Sequence, residues 1–386
     1  MPPRPAVPTP GLVPLYGHAA LQTQLRDAHA RGALPASLLF HGPRGIGKQR
    51  LSLWLGQLLL CENLEPSPSS LALLEGKPAG APRGKGSPCG ACTQCRFTSR
   101  MTHPDLHWIF PRPRLKDNDP SADEINVDQA EAIAERVEAG GLYPAPGGDE
   151  AIFVATVRAI VHSAIMSPAL ATRKVYVIGD AERMVAQAGA DQAANAFLKL
   201  LEEPPADTFI VLTSSEPGAL LPTIRSRVVS LRVLPLLPAD MGAFLRDPAV
   251  AALTRRDHTG VNEADLLSLT SGAPGRLFGH TALAAATAGA RTILDAATSG
   301  DEAKVFRAAF IQGTSKARGR FSDTLEVLTA LLHERARSTV GRDDQTARGA
   351  AAAVDAVERA KELASGNGNP QLITATLLRE ISPLLS

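Results

Sequence analysis

The sequence predicts an α/β fold built on a parallel sheet and followed by an all-helical region, and three observations carry that expectation. Short apolar runs bounded by turn signals recur at 38–40, 106–110, 174–178 and 208–213, and the runs at 174–178 and 208–213 read as interior strands of a parallel sheet. Helical patterns alternate with these runs as far as about residue 235. From Pro235 onward the β signal fades, and only helical patterns remain, broken at 272–275, at Gly300, at Gly341 and at 366–370.

Composition bounds the reading. A chain of 386 residues, 44% hydrophobic and 20% charged, is globular and long enough for two or three domains with real cores. Lys and Arg total 40 against 39 Asp and Glu, a net charge of +1, so no bulk basic field holds nucleic acid by itself. Any DNA contact must be local or shared. Residues 1–11 are proline-rich without the apolar core of a signal peptide, and no apolar run reaches about 18 residues. The expectation is a soluble, cytoplasmic protein with no membrane partner. Aromatics at 4% reflect an Ala-, Arg-, Gly- and Pro-rich composition rather than chemistry.

In chain order, Leu15, Leu21, Leu25 and Ala28 lie at helical spacing over 14–31 and predict an amphipathic helix ahead of the first strand. The apolar run 38–40 feeds a glycine-rich turn, and Leu51, Trp54, Leu55, Leu58 and Leu59 mark the helix that follows. Residues 62–88 are rich in Pro, Ser, Gly and Ala and read as an insertion or mobile loop. A buried strand is expected at 106–110 and a charged, proline-punctuated loop at 111–120. Helices at 127–137 and 152–165 open alike, Ile125-Asn126-Val127 against Ile152-Phe153-Val154, and one of them is read as inserted. Residues 191–203 form a helix with Ala194, Phe197, Leu198 and Leu201 on one face, stopped by Pro204-Pro205. The last helix carries Ile373, Leu377 and Ile381 at i+4 spacing, so it has a face to bury.

The first constellation with chemistry is Gly42, Gly45, Gly47 and Lys48. It fits G-x-x-x-x-G-K-[ST], in which glycines bring backbone N–H groups against phosphate and the lysine neutralises charge. Where Ser or Thr would ligate magnesium there is Gln49. The second lies at 175–182: phosphate-loop ATPases end this strand with an acidic pair, one member holding magnesium through water and the next positioning the attacking water. Here those positions are Gly179 and Asp180. Both protein ligands expected for the ion are missing, so no magnesium is expected at this site and no hydrolysis from it. The third is Cys61, Cys89, Cys92 and Cys95, all the cysteines of the chain. Four thiolates, three at C-x-x-C-x-x-C spacing, suit a tetrahedral structural Zn²⁺, with an iron–sulfur cluster or disulfides as the alternatives. The fourth is Thr223-Ile-Arg-Ser-Arg-Val just before a strand, with Ser226 and Arg227. Arginines ending a helix are commonly solvated charges; the alternative is an arginine finger reaching a neighbour's γ-phosphate, which requires a partner subunit.

Leu201-Glu202-Glu203-Pro204-Pro205 with Asn195 and Lys199 before it, Ser226-Arg227 after it, and the four cysteines resemble the bacterial clamp-loader family of DNA polymerase III, more narrowly its delta-prime type. The resemblance runs from the first helix to about residue 235. It continues more weakly through Gly272-Ala-Pro-Gly-Arg276 and the last helix. It implies a RecA-like AAA+ domain over 1–235 carrying a zinc module at 61–95, a helical lid over 236–283, and an all-α collar over 284–386 that joins a hetero-oligomeric ring. It implies a largely rigid stator with a degenerate nucleotide site, to which ATP or ADP binds weakly or not at all. Arg227 would be its finger for the adjacent gamma/tau motor, beside a delta subunit, a sliding clamp and primed-template DNA. Val228 stands where the family's motif has cysteine. The resemblance further places sensor 1 near Thr213 or Ser214 and sensor 2 at Arg276. Two rival readings remain: an ATP-hydrolysing gamma/tau-type motor, and a zinc-dependent DNA-binding protein using Arg83, Lys85, Arg96 and Arg100.

Overall fold

The fold is taken from a computed structural model, which describes residues 11–64, 86–117, 120–144, 146, 150–184, 191–257, 262–278, 280–311, 318–365 and 369–385. Most of the proline- and serine-rich stretch after Glu62, with Arg83 and Lys85, lies outside them, as do residues 147–149 and 366–368. The chain divides into two compact units, the first comprising Met1–Ala145 and Glu150–Phe278 and the second Gly279–Ser386 with the short segment Pro146–Asp149.

The first unit is built on five parallel strands: β1 (Ser37–His41), β2 (Leu106–Ile109), β3 (Lys174–Ile178), β4 (Thr208–Ser214) and β5 (Val229–Arg232), in the order β2-β3-β4-β1-β5. The expected inner strands are inner strands. β1, β3 and β4 each have a neighbour on both sides, while β2 and β5 form the edges. Successive side chains on a strand point to opposite faces, so β1 to β4 feed two cores. Leu38, Phe40, Trp108, Val175, Val177 and Val211 pack on one face with Leu51, Leu55 and Leu58 of α2 (Lys48–Leu60). Leu39, Ile109, Tyr176, Ile178, Ile210 and Leu212 pack on the other with Ile160 of α5 (Val154–Ala164) and Phe197 and Leu201 of α6 (Asp191–Glu202). The result is a three-layer sandwich.

The remaining helices of this region are α1 (Ala19–Ala30), α3 (Thr93–Ser99) and α4 (Ala122–Glu138). The matched openings expected for α4 and α5 are not seen. Ser121 caps α4 in a capping box with Glu124, so Ile125 already lies within its first turn, whereas Phe153 is itself the N-cap of α5. A four-residue helix α7 (Pro222–Arg225) precedes β5. Beyond it, α8 (Pro238–Leu245), α9 (Pro248–Asp257) and α10 (Glu263–Thr270) enclose a small core of Met241, Phe244, Leu245, Val250, Leu266 and Leu277, into which the N-terminal segment inserts Val13. The same segment reaches that bundle through Tyr16, whose hydroxyl donates to Asp247 Oδ2 at 2.8 Å.

Among the described residues the second unit is built of helices: α11 (His280–Thr298), α12 (Glu302–Ile311), α13 (Arg318–Thr339), α14 (Asp344–Ser365) and α15 (Pro370–Leu385). Small residues Ala290, Ala350, Ala353 and Ala356 let the helices approach one another around Leu325, Leu328, Leu332 and Leu378. Ile373, Leu377 and Ile381 form the buried face of α15, as their spacing implies. Among the described residues, no helix is long and apolar enough to cross a membrane.

Candidate functional site

The phosphate loop links β1 to α2. Gly42, Gly45 and Gly47 all have positive φ, 150°, 79° and 92°, which an L side chain rarely adopts. Lys48, the first residue of α2, is buried, and its ammonium turns back into the loop. Nζ donates to Gly42 O and Pro43 O, both at 2.8 Å, and to Ser215 Oγ at 2.9 Å. An ammonium has three N–H donors, and these three bonds engage them. Ser215 in turn gives its backbone N–H to Glu182 Oε1 at 3.0 Å. Burial, reinforced by the charge of Asp180, pushes the Glu182 carboxyl above its ordinary range.

Gln49 occupies the centre of the site. Its Nε2 donates to Asp180 Oδ2 at 3.0 Å, and its Oε1 accepts from Trp108 Nε1 and Tyr143 Oη, both at 2.9 Å. Gly179 immediately follows β3, and a Cβ there would overlap the Gln49 amide, lying 2.6 Å even from Oε1. Asp180 sits at φ 49° with its own N–H donated to Thr213 Oγ1 at 3.2 Å. The aromatic wall behind Gln49 holds a cation. Arg136 lies 3.3 Å from the Phe110 ring centroid and 3.7 Å from that of Tyr143. Burial lowers the Arg136 pKa and raises that of the Tyr143 phenol to about 12.

The two residues suggested for sensor 1 therefore divide. Thr213 reaches the backbone of Asp180, whereas Ser214 Oγ accepts from Glu216 N at 3.1 Å. Arg276 is half-buried in a short 3-10 turn, Pro274–Leu277, beside the loop. Its neighbour Gly275 donates its N–H to Gly45 O at 2.8 Å. A Cβ on Gly275 would stand 2.6 Å from Gly45 Cα, so the two backbones meet at a distance only glycine permits.

The four cysteines converge from the end of α2 (Cys61), from the turn before α3 (Cys89 and Cys92) and from the first turn of α3 itself (Cys95). Their sulfurs all lie within 4.8 Å of one another, with Cys61–Cys89 at 3.7 Å and both Cys61–Cys92 and Cys89–Cys95 at 4.0 Å. Thiolates about 2.3 Å from a tetrahedral metal stand roughly 3.8 Å apart, so this set fits one ion such as zinc. Backbone N–H groups of Cys89, Cys92 and Cys95 point at Cys61, Cys89 and Cys92 Sγ at 3.3–3.4 Å, the arrangement that stabilises thiolate. Burial opposes ionisation of Cys92, but the N–H groups of Cys95 and Glu62 outweigh it and bring the thiol to about 7. Behind the cluster, Glu62 accepts from Gln94 at 2.9 Å and Gln94 meets His103 at 2.6 Å.

Ser226 and Arg227 follow α7. Arg227 Nη1 donates to Thr223 O at 3.0 Å and to Ser226 Oγ at 3.4 Å, and Nε lies 3.3 Å from Glu202 Oε2. They stand at the opposite end of the sheet from the phosphate loop. Extending the Leu38↔Val229 register sets Arg227 level with Ala36, six residues before Gly42 and on the order of 20 Å along the strand direction. Tyr143 and Ser215 were not singled out from sequence, and Trp108, Glu182 and Gly275 stood there only within longer stretches, with no site role of their own. A tryptophan in a buried strand needs an acceptor for its N–H, which was the available signal for Trp108.

Residues 17–236 match the family model described as DNA polymerase III, delta subunit. Similar proteins include the DNA polymerase III subunit delta' of Pseudomonas aeruginosa, 32% identical over 212 residues, 54% of this chain and 45% of that protein. That of Bacillus subtilis is 30% identical over 214 residues, 55% and 46%. The DNA polymerase III subunit gamma/tau of Mycobacterium tuberculosis strain H37Rv is 27% identical over 234 residues, 60% of this chain and 30% of that protein. The chain thus spans about half the length of the delta' relatives it matches. The matched span contains the sheet, the glycine loop, the four cysteines and Arg227, and the chain belongs to the DNA polymerase III, delta subunit family.

Proposed function

We propose that this chain is a delta-prime, stator-type AAA+ subunit of a DNA polymerase III clamp loader. In that role it does not hydrolyse ATP itself. It presents Arg227, set by Ser226, to the ATP site of an adjacent gamma/tau-type motor, in a ring that includes a delta subunit and loads a sliding clamp on primed DNA. The observation that carries the reading is the separation of Arg227 from Lys48 across the length of the sheet. A guanidinium at that end cannot serve the loop of its own chain, so a phosphate for it must come from another subunit. Gln49 and Gly179 favour this over the motor reading, because neither offers an anionic or hydroxyl ligand to an ion.

The three-part division follows from the same reading: sheet domain 1–235, lid 236–283 and collar 284–386. Support for a collar that joins a ring is the face of α12, where Phe306 and Phe310 are 72% and 68% exposed and stack with centroids 6.1 Å apart. In the cysteine module Cys61, Cys89, Cys92 and Cys95 would hold a structural zinc. With four protein ligands it leaves no open position for chemistry.

The test is co-expression with gamma/tau and delta subunits, followed by size-exclusion chromatography and DNA-stimulated ATPase measurement with and without this chain. The chain should co-elute in a hetero-oligomer whose ATPase depends on its presence. Elution alone, with turnover unchanged by its omission, would refute the assignment.

A further inference from the structure

We infer that Gln49 and Gly179 are a complementary pair that fills the magnesium position of the phosphate loop with protein, so that the loop rejects magnesium nucleotides by occupancy and not merely by loss of ligands. The inference rests on the reading of this loop as a degenerate nucleotide site, and is independent of Arg227. In a hydrolysing loop the residue at position 49 offers a hydroxyl to the ion and the strand end offers carboxylates. Here the amide of Gln49 lies against Gly179, where any side chain would overlap it. An amide oxygen has two lone pairs. Trp108 Nε1 and Tyr143 Oη engage both, each at 2.9 Å. The remaining polar end, the NH₂ group, faces Asp180 Oδ2 at 3.0 Å.

The amide therefore presents a donor, not an acceptor, to Asp180, and has no acceptor of its own left for a cation. Lys48 closes the phosphate side in the same way, through Gly42 O, Pro43 O and Ser215 Oγ. Neither half of the pair can revert alone without loss. Gly179→Asp would drive the amide off its three partners and set a second carboxylate beside Asp180. Gln49→Thr would leave the buried Trp108 N–H and the Tyr143 hydroxyl without their acceptor. In the Gln49→Thr background, by contrast, the space needed for a side chain at position 179 is open. The two positions are expected to couple strongly.

The experiment uses the full chain and compares melting temperatures of wild type, Gln49→Thr, Gly179→Asp, Gly179→Ala and the two double variants, with and without Mg-ATP. Gly179→Asp and the milder Gly179→Ala should each lower Tm by roughly 3–6 °C more in the wild-type background than in the Gln49→Thr background. Wild-type Tm should not respond to Mg-ATP. Equal losses in the two backgrounds would overturn the pairing. A magnesium-dependent rise in wild-type Tm that Lys48→Ala abolishes would overturn the occupancy. Neither result would bear on whether Arg227 acts in trans, and an inactive role for Arg227 would leave both readings standing.

Discussion

Replacing Gly275 with alanine puts a methyl group 2.6 Å from Gly45 Cα and 3.2 Å from Gly45 O, both main-chain atoms of the phosphate loop. Neither can rotate away as a flexible side-chain end would. Relief requires the 3-10 turn Pro274–Leu277 to retreat from the loop, which breaks the 2.8 Å bond from Gly275 N to Gly45 O. Overpacking of this kind costs about 1–3 kcal/mol and the lost hydrogen bond about 0.5–1.5 kcal/mol, together on the order of 2–4 kcal/mol. At roughly 2–4 °C per kcal/mol for a unit of this size, the transition of the sheet-bearing unit should fall by about 4–16 °C. Gly218→Ala is the control, because a Cβ there meets nothing within 4 Å. Circular dichroism melts of the two variants beside wild type decide the matter. A Gly275→Ala protein as stable as Gly218→Ala would refute the reasoning that the loop and the turn are in backbone contact.

Asp105 is buried, which alone would raise its pKa, but N–H groups of Ala171, Ala169 and Leu170 at 2.6–2.8 Å outweigh burial and hold it below the ordinary 3.8. A depressed carboxylate stabilises the fold above its unfolded pKa and ceases to as pH falls through its folded value. Urea denaturation should therefore give Asp105→Asn a deficit of about 1.5–3 kcal/mol at pH 7, narrowing below about pH 4; a gap independent of pH would contradict this. The purified chain should carry one zinc per molecule by elemental analysis, and a chelator should lower its Tm by several degrees while leaving Cys95→Ser unmoved. A metal-free chain indifferent to chelator would remove the proposed zinc. Isolated, the chain should show no magnesium-dependent ATPase above that of Lys48→Ala, and robust turnover lost in that variant would favour the motor reading.

The strands and the glycine loop were legible because their signals are local. An apolar run between turns, or a lysine after two glycines, is read within a dozen residues. The cysteine cluster was legible despite its long loop because four soft ligands of one type converge on one chemistry. Gln49 was recognised as a departure from the pattern, but what it does instead was hidden. The donors to its amide oxygen come from Trp108 and Tyr143, 59 and 94 residues away, and the pattern names neither. Gly179 was read as a loss. In the fold it is the space that the Gln49 amide needs. The openings of α4 and α5 misled for a related reason. Apolar triplets look alike in sequence, while the capping box of Ser121 and Glu124 sets where a helix begins. The boundary near residue 235 was drawn where the strand signal fades; contacts of Val13 and Tyr16 with the helices beyond it were not legible, because they join the two ends of the span.

The central claim is that Arg227 acts on a neighbour's nucleotide while the loop around Lys48 does not act at all. The measurement that tests it is the DNA-stimulated ATPase of a reconstituted loader containing wild-type, Arg227→Ala or Lys48→Ala forms of this chain. An arginine finger contributes about 10³–10⁵ in rate at the site it serves, so Arg227→Ala should silence that one site and lower total turnover with the ring still assembled, and Lys48→Ala should leave turnover at the wild-type level. Unchanged turnover with Arg227→Ala, or its loss with Lys48→Ala in an intact ring, would contradict the account.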